Sequence, residues 1–167
     1  MGIHYLKMRI GFDLRPFLRE ETGVGVYFKH LLLNLAKIDQ DDEFFLFSSS
    51  WKDRFDPNKI PSFAKMDFLD LRYPVKAINF LWSRLRWPSL DFFFKTKLDL
   101  THSPTPLPLP TAGKKIITVY DLFFLEHPGL TNIQARRVFS RGIEDSVRKA
   151  DGIVTISRFT QEQIIQK

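Results

Sequence analysis

Gly23-Val24-Gly25 is the first place in the chain where residue types and spacing bear on chemistry. An apolar stretch, Met8–Asp13, reads as a short buried strand and leads through a polar loop, Leu14–Thr22, to these glycines. They open a helix whose Phe28, Leu31, Leu32 and Leu35 recur at helical spacing, with His30, Asn34 and Lys37 opposite. A strand feeding a glycine-bearing loop at a helix N-terminus presents backbone N–H groups to an anion. Glycine there permits positive φ and close approach by a phosphate oxygen. The structural rival is a pair of glycines that serve the turn alone.

Several chemistries are argued against at this point. A dinucleotide fingerprint wants a third glycine where Phe28 stands, a shorter loop, and an acidic residue after the next strand, Phe44–Ser48. Nicotinamide binding is therefore not expected. The chain contains neither a P-loop G-x-x-x-x-G-K-[ST] nor the G-x-S-x-G elbow of a serine hydrolase. Asp39-Gln-Asp-Asp42 holds a D-x-D pattern of the kind that can bind a divalent metal. It falls between a helix end and a strand start, away from the strand carboxyl ends where ligands of α/β sheets collect, and reads as a solvated turn.

The elements that position these residues follow in order. Glu43–Phe47 is a second strand, Trp51–Phe63 a loop with Pro57 and Pro61, and Ala64–Leu71 a third strand. From Pro74 a helical stripe runs through Ala77, Ile78, Leu81, Trp82 and Leu85. Pro88 breaks or restarts it before Leu90, Phe92, Phe93 and Phe94. Asp99-Leu-Thr-His-Ser-Pro104 starts as a brief strand and runs into a proline-stiffened loop that carries His102. Lys115–Tyr120 is a strand ending in Asp121, and Leu122–Pro128 a semi-apolar loop. Asn132–Lys149 is an amphipathic helix with Val138, Phe139, Ile143 and Val147 on one side and Gly142 allowing close approach. On its other side Glu144–Arg148 and Asp145–Lys149 form i,i+4 pairs. Gly152–Ile156 is a buried strand, and Ser157 an N-cap for the last helix. This alternation predicts an α/β domain, a Rossmann-like and mainly parallel sheet with helices on both faces.

Composition narrows the class further. With 167 residues the chain can bury the core of one domain, and 44% hydrophobic against 26% charged residues is an ordinary globular balance. The 17 phenylalanines predict an aromatic core, and the absence of cysteine removes disulfides, zinc–thiolate sites and thiol nucleophiles. Met1–Lys7 is too short and polar for a signal peptide, and no apolar run approaches the roughly 20 residues of a membrane span. A cytoplasmic protein is expected, with peripheral contact at the inner membrane face as an option. A net charge of +6 suits either an anionic partner or mere solubility. The basic residues around Trp82 and Trp87 (Arg84, Arg86, Lys95, Lys97) fit an interfacial membrane face or, more simply, a solvated face over core aromatics.

Four segments together resemble the N-terminal domain of family-4 glycosyltransferases of the GT-B fold. They are Ile10-Gly-Phe-Asp-Leu-Arg-Pro16; Thr22-Gly-Val-Gly-Val-Tyr27 with its leucine-rich helix; Asp99-Leu-Thr-His-Ser-Pro104; and Val119-Tyr-Asp-Leu122 through His127-Pro128 to Val154-Thr-Ile-Ser-Arg158. Their order and spacing extend along nearly the whole chain. The resemblance implies a transferase that moves a sugar, usually with retention, from a nucleotide-diphosphate donor to a glycan, lipid or polysaccharide-precursor acceptor. It implies no cofactor and no metal, because helix dipoles and basic groups neutralise the leaving diphosphate. It further implies a second, C-terminal Rossmann-like half that holds the nucleotide. The present chain then supplies the acceptor-side half and is expected to be inactive alone.

Residue by residue, the resemblance places the N–H groups of Gly23 and Gly25 towards the diphosphate or sugar. His102 would line the cleft and donate to a sugar hydroxyl or pyrophosphate oxygen, or else be a satisfied loop histidine. Tyr120 stands where many members carry histidine; it can hydrogen-bond a hydroxyl but cannot carry positive charge. Asp121 would accept from the acceptor hydroxyl, or instead cap the next loop. Ser157 and Arg158 match a further anion site at a helix start. Arg15 would reach an acceptor phosphate, or lie on the surface in solvent. The alternative from another class is a non-catalytic basic module that docks an anionic membrane or nucleic acid. No helix-turn-helix, RNP or KH signature supports a nucleic-acid partner.

Overall fold

A computed structural model describes residues 7–18, 22–56, 58, 62–123 and 143–166. The strands are β1 (Arg9–Asp13), β2 (Glu43–Ser49), β3 (Met66–Leu71), β4 (Leu100–Ser103), β5 (Lys114–Val119) and β6 (Gly152–Thr155). The helices are α1 (Gly23–Ile38), α2 (Val75–Arg84), α3 (Leu90–Phe94), α4 (Ile143–Lys149) and α5 (Arg158–Gln166), with a single 3-10 turn at Arg15–Phe17. The expected loop prolines Pro57 and Pro61 lie outside the described residues, as do His127, Pro128, Val138, Phe139 and Gly142. Only the end of the expected Asn132–Lys149 helix, α4, is described.

All six strands pair in parallel, in the order β3-β2-β1-β4-β5-β6. The expected α/β, Rossmann-like sheet is therefore what the chain forms. A parallel sheet needs apolar cover on both faces, and β2 shows why this sequence provides it: six of its seven residues, all but Glu43, are buried. Alternation sends Ile10, Phe12, Phe44 and Leu46 into one cluster with Phe28 and Leu32 of α1. It sends Phe45 and Phe47 into the opposite one, with Ile78 and Trp82 of α2 and Leu90 of α3. Phenylalanine carries both layers: Phe12 stacks on Phe44 and meets Phe28 edge-on, while Phe47 packs against Trp82 and Phe93. Each fully buried ring contributes roughly 1.5–3 kcal/mol.

Local chemistry sets the element ends. Thr22 caps α1, its Oγ1 accepting from Gly25 N–H at 3.1 Å. Pro74 stands at the N-cap of α2, and the chain passes Pro88 before Ser89 caps α3 through Phe92 N–H at 3.2 Å. The break expected at Pro88 thus yields two helices, tied together by the Trp82 indole N–H donating to Pro88 O at 2.8 Å. At the amino end of the sheet Asp99 accepts from Arg9 N–H at 2.8 Å and Arg9 Nε at 3.3 Å, stapling β1 to β4. These bonds hold the Asp99 carboxyl below its usual range, the Arg9 backbone N–H contributing most.

Asp39-Gln-Asp-Asp42 is the turn expected between α1 and β2. Asp39 Oδ1 accepts from the N–H groups of Asp41 and Asp42, and Asp42 Oδ1 from Met8 N–H. Among the described residues no group of three His, Cys, Asp or Glu side chains is placed to hold a metal ion. No described helix is long and apolar enough to cross a membrane.

Candidate functional site

The strand order reverses between β1 and β4, and ligands of open α/β sheets bind outside the carboxyl ends at such a point. Two environments meet there, one on each face of the sheet.

On the α1 face the helix N-terminus stands beside the end of β1. The first intrahelical bond runs from Val26 N–H to Thr22 O, and Gly25 N–H is taken by the Thr22 hydroxyl. Within this first turn, Gly23 and Val24 therefore keep N–H groups outside the helical ladder. None of the described glycines has positive φ, so the conformational reason expected for Gly23 and Gly25 does not operate. Nor does space require glycine: a Cβ on Gly23 would meet nothing within 4 Å, and one on Gly25 would make an ordinary contact with Thr22 Oγ1 at 3.4 Å.

Next to this turn Tyr27 meets Tyr120 edge-on, ring centroids 5.8 Å apart. The Tyr120 hydroxyl is buried and has no hydrogen-bond partner among the described residues. Burial, helped by the neighbouring Tyr27 phenol, raises its pKa to about 12. Tyr120 O accepts from Thr160 Oγ1, and Ser157 Oγ accepts from Thr160 N–H at 3.2 Å, the N-cap expected for α5. Arg158 begins α5 exposed to solvent. Asp121 is also exposed and its Oδ1 accepts from Phe123 N–H at 3.1 Å, the loop-capping arrangement.

His102 sits deeper. It is 8% exposed, with Nε2 2.9 Å from Thr118 Oγ1 and the ring packed between Phe12 and Phe28. Desolvation pushes its pKa down to about 4, so the imidazole is neutral at physiological pH. The histidine that the resemblance assigns to a cleft is, in this fold, a core residue bonded to β5.

On the opposite face a cavity of about 630 Å³ opens between α2, the 104–110 loop and α4. At its inner wall stands a buried ion pair. The side chains of Asp13 and Arg15 are 3% and 6% exposed. Asp13 Oδ1 accepts from Arg15 N–H and Nε at 3.0 and 2.8 Å, and Oδ2 from Nη2 at 2.7 Å. Arg15 Nη1 donates to Asn79 Oδ1 at 2.8 Å, and the guanidinium lies 4.4 Å above the Trp82 ring. Arg15 is thus neither a solvated surface arginine nor an extended one. Asp13 and Asn79 take three of its five N–H donors, and its group faces the cavity.

The residues singled out in the sequence therefore divide. Gly23, Gly25 and Tyr120 meet on the α1 face, Asp121, Ser157 and Arg158 follow the carboxyl ends of β5 and β6, His102 lies in the core, and Arg15 lines the cavity on the other face. Sequence reasoning missed Asp13, Asn79, Arg86 and Lys115 as cavity residues. The D-x-R spacing at the end of a strand was the available signal for Asp13. Nothing local marks Asn79, which comes from a helix 64 residues further along.

The fold is a Rossmann-like α/β sheet in the order β3-β2-β1-β4-β5-β6. No protein-family model, curated protein or solved structure matches the chain.

Proposed function

We propose that this chain is the acceptor-side, N-terminal half of a family-4 glycosyltransferase of the GT-B fold, moving a sugar from a nucleotide diphosphate to a glycan or lipid-linked acceptor. One observation supports this above the others. At the switch point the N-terminus of α1 keeps the Gly23 and Val24 N–H groups outside the helical ladder, in the turn that leads to Tyr27 and its edge-on contact with Tyr120.

Chemically, the free N–H groups and the positive end of the α1 dipole stabilise the charge that develops on a departing diphosphate. Exposed Arg158 adds a cation at the start of a second helix. The Tyr120 hydroxyl, which has no partner among the described residues, would donate to or accept from a sugar hydroxyl that reaches it. Asp121 keeps Oδ2 available to an acceptor hydroxyl while Oδ1 caps its loop. His102, 8% exposed, holds β4 to β5 beneath the site through Thr118. The nucleotide and the remaining cations belong to a second half, so the chain alone does not turn over.

Titrating the isotope-labelled chain with inorganic pyrophosphate and with nucleotide-diphosphate sugars tests the reading by amide NMR. The Gly23 and Val24 amides, with the Tyr27 and Tyr120 rings, are expected to shift saturably, and Gly23→Glu to abolish the response. Shifts confined to other surfaces, or sugar transfer by the chain alone, would sink it.

A further inference from the structure

The cavity on the α2 face is separate from the surface assigned to sugar transfer, and its chemistry points to a ligand of its own. Its walls are largely apolar, with Phe80, Trp82, Leu107 and Ile143 among them. Its charges do not cancel. Asp13 is matched by Arg15, and Asp145 hydrogen-bonds Lys149. Arg86, which also acts on Asp145, and Lys115 bring the lining to four cations against two carboxylates. Lys115 Nζ donates to Gly113 O at 3.1 Å and pairs at 3.8 Å with Asp151, which Lys114 also holds. Arg86 is held at the end of α2 with φ of 52°, a left-handed conformation uncommon for arginine.

Exposed apolar side chains follow Phe80 of the lining along the chain. Phe80, Leu85, Trp87 and Phe92 are 58–64% exposed, and Trp87 and Phe92 pack together with centroids 5.6 Å apart. From Leu71 to Leu90 the chain carries Arg72, Lys76, Arg84 and Arg86 and no acidic residue. Trp82, by contrast, is buried and belongs to the core. A buried guanidinium with two donors that have no partner among the described residues, a second arginine on the lining and an exposed aromatic edge fit one chemistry: a phosphate carried on an apolar chain.

We propose that this cavity binds the phosphate head of an amphiphile on Arg15, Asn79 and Arg86, with its apolar part leaving over Phe80 towards Leu85, Trp87 and Phe92. Such a phosphate is supplied either by a free alkyl phosphate or by a lipid headgroup in a bilayer. The proposal does not depend on sugar transfer.

Calorimetric titration of the whole chain with monomeric decyl phosphate, inorganic phosphate and decanol tests it. Decyl phosphate is expected to bind at least about tenfold more tightly than either of the others, because the site uses head and tail together. Arg86→Gln should weaken it by about tenfold, a charge-assisted contact being lost. Ser83→Trp, on an exposed position lining the cavity, should abolish it by filling the space. Both variants touch surface side chains, and thermal unfolding checks that they fold.

Phosphatidylcholine vesicles with and without phosphatidic acid separate the two sources. Acid-dependent capture lost in Ser83→Trp assigns the headgroup of a bilayer. Decyl phosphate binding without such capture assigns a free ligand. Decyl phosphate binding no tighter than decanol, or binding that survives both variants unchanged, overturns the proposal.

Discussion

Breaking the Asp13–Arg15 pair from one side is the most informative single perturbation. Arg15→Met keeps an unbranched chain over Trp82 and removes the guanidinium. Asp13, 3% exposed at its side chain, then loses the Nε and Nη2 donors and retains only the Arg15 backbone N–H. Leaving a buried charge without its partner costs about 3–5 kcal/mol. The adjoining cavity gives water some access, which places this case near the lower end, about 3 kcal/mol. With an m-value of about 2 kcal/mol per molar urea, the unfolding midpoint should fall by about 1.5 M.

Asp13→Leu should cost a similar amount, since the guanidinium is then unpaired. The double variant should recover much of the loss, because two apolar groups replace a desolvated pair. The assay is urea unfolding of all four proteins. A loss below about 1 kcal/mol for Arg15→Met would mean that the pair behaves as a surface one. Additivity of the single losses to within about 0.5 kcal/mol would mean that the two side chains do not act together. Either result refutes the account of this wall.

The remaining predictions concern the core and the α1 face. Between pH 6.5 and about 4 the folded chain keeps His102 neutral while the unfolded chain takes up its proton, so stability falls as pH drops through that window. The loss amounts to about 3 kcal/mol at its lower end; unfolding curves for the wild type and His102→Gln should diverge there, and parallel curves would contradict the assigned burial. Tyr120→Phe removes a hydroxyl that has no described partner, so unfolding should show no loss, or a gain of up to about 1 kcal/mol, unlike the loss expected for a satisfied hydroxyl. Gly113→Ala would bring a Cβ within 2.4 Å of Leu98 O and 2.5 Å of Asp99 O. Because backbone atoms cannot yield as a side chain can, thermal unfolding should show a loss of about 1–3 kcal/mol or more.

Much of the architecture was legible because each element carries its own signal. The apolar runs at Met8–Asp13 and Glu43–Phe47, the stripe from Ala77 to Leu85 and the Ser157 cap all correspond to observed elements, shifted by a residue or two at their ends. Fraying and the energetic similarity of terminal turns account for those shifts. The site was less legible. Gly23 opens α1 as expected, but the positive φ proposed for it is absent, and Gly25 gives its N–H to Thr22. His102 looked like a loop histidine because its strand is four residues long and followed by prolines; its burial comes from Phe28 on α1, 74 positions earlier.

Periodicity, capping residues and composition are local properties, and the sequence by itself determined what is local: the α/β alternation, the aromatic core and the helix that starts at Gly23. Tertiary structure decided the rest, because burial and charge pairing depend on which strands become neighbours. Placing β4 beside β1 puts His102 opposite Phe12 and away from solvent. Packing α2 against the same sheet brings Asn79 and Trp82 onto Arg15 and turns a loop arginine into the wall of a cavity. No spacing along the chain encodes that encounter, since its partners are joined only through the folded sheet.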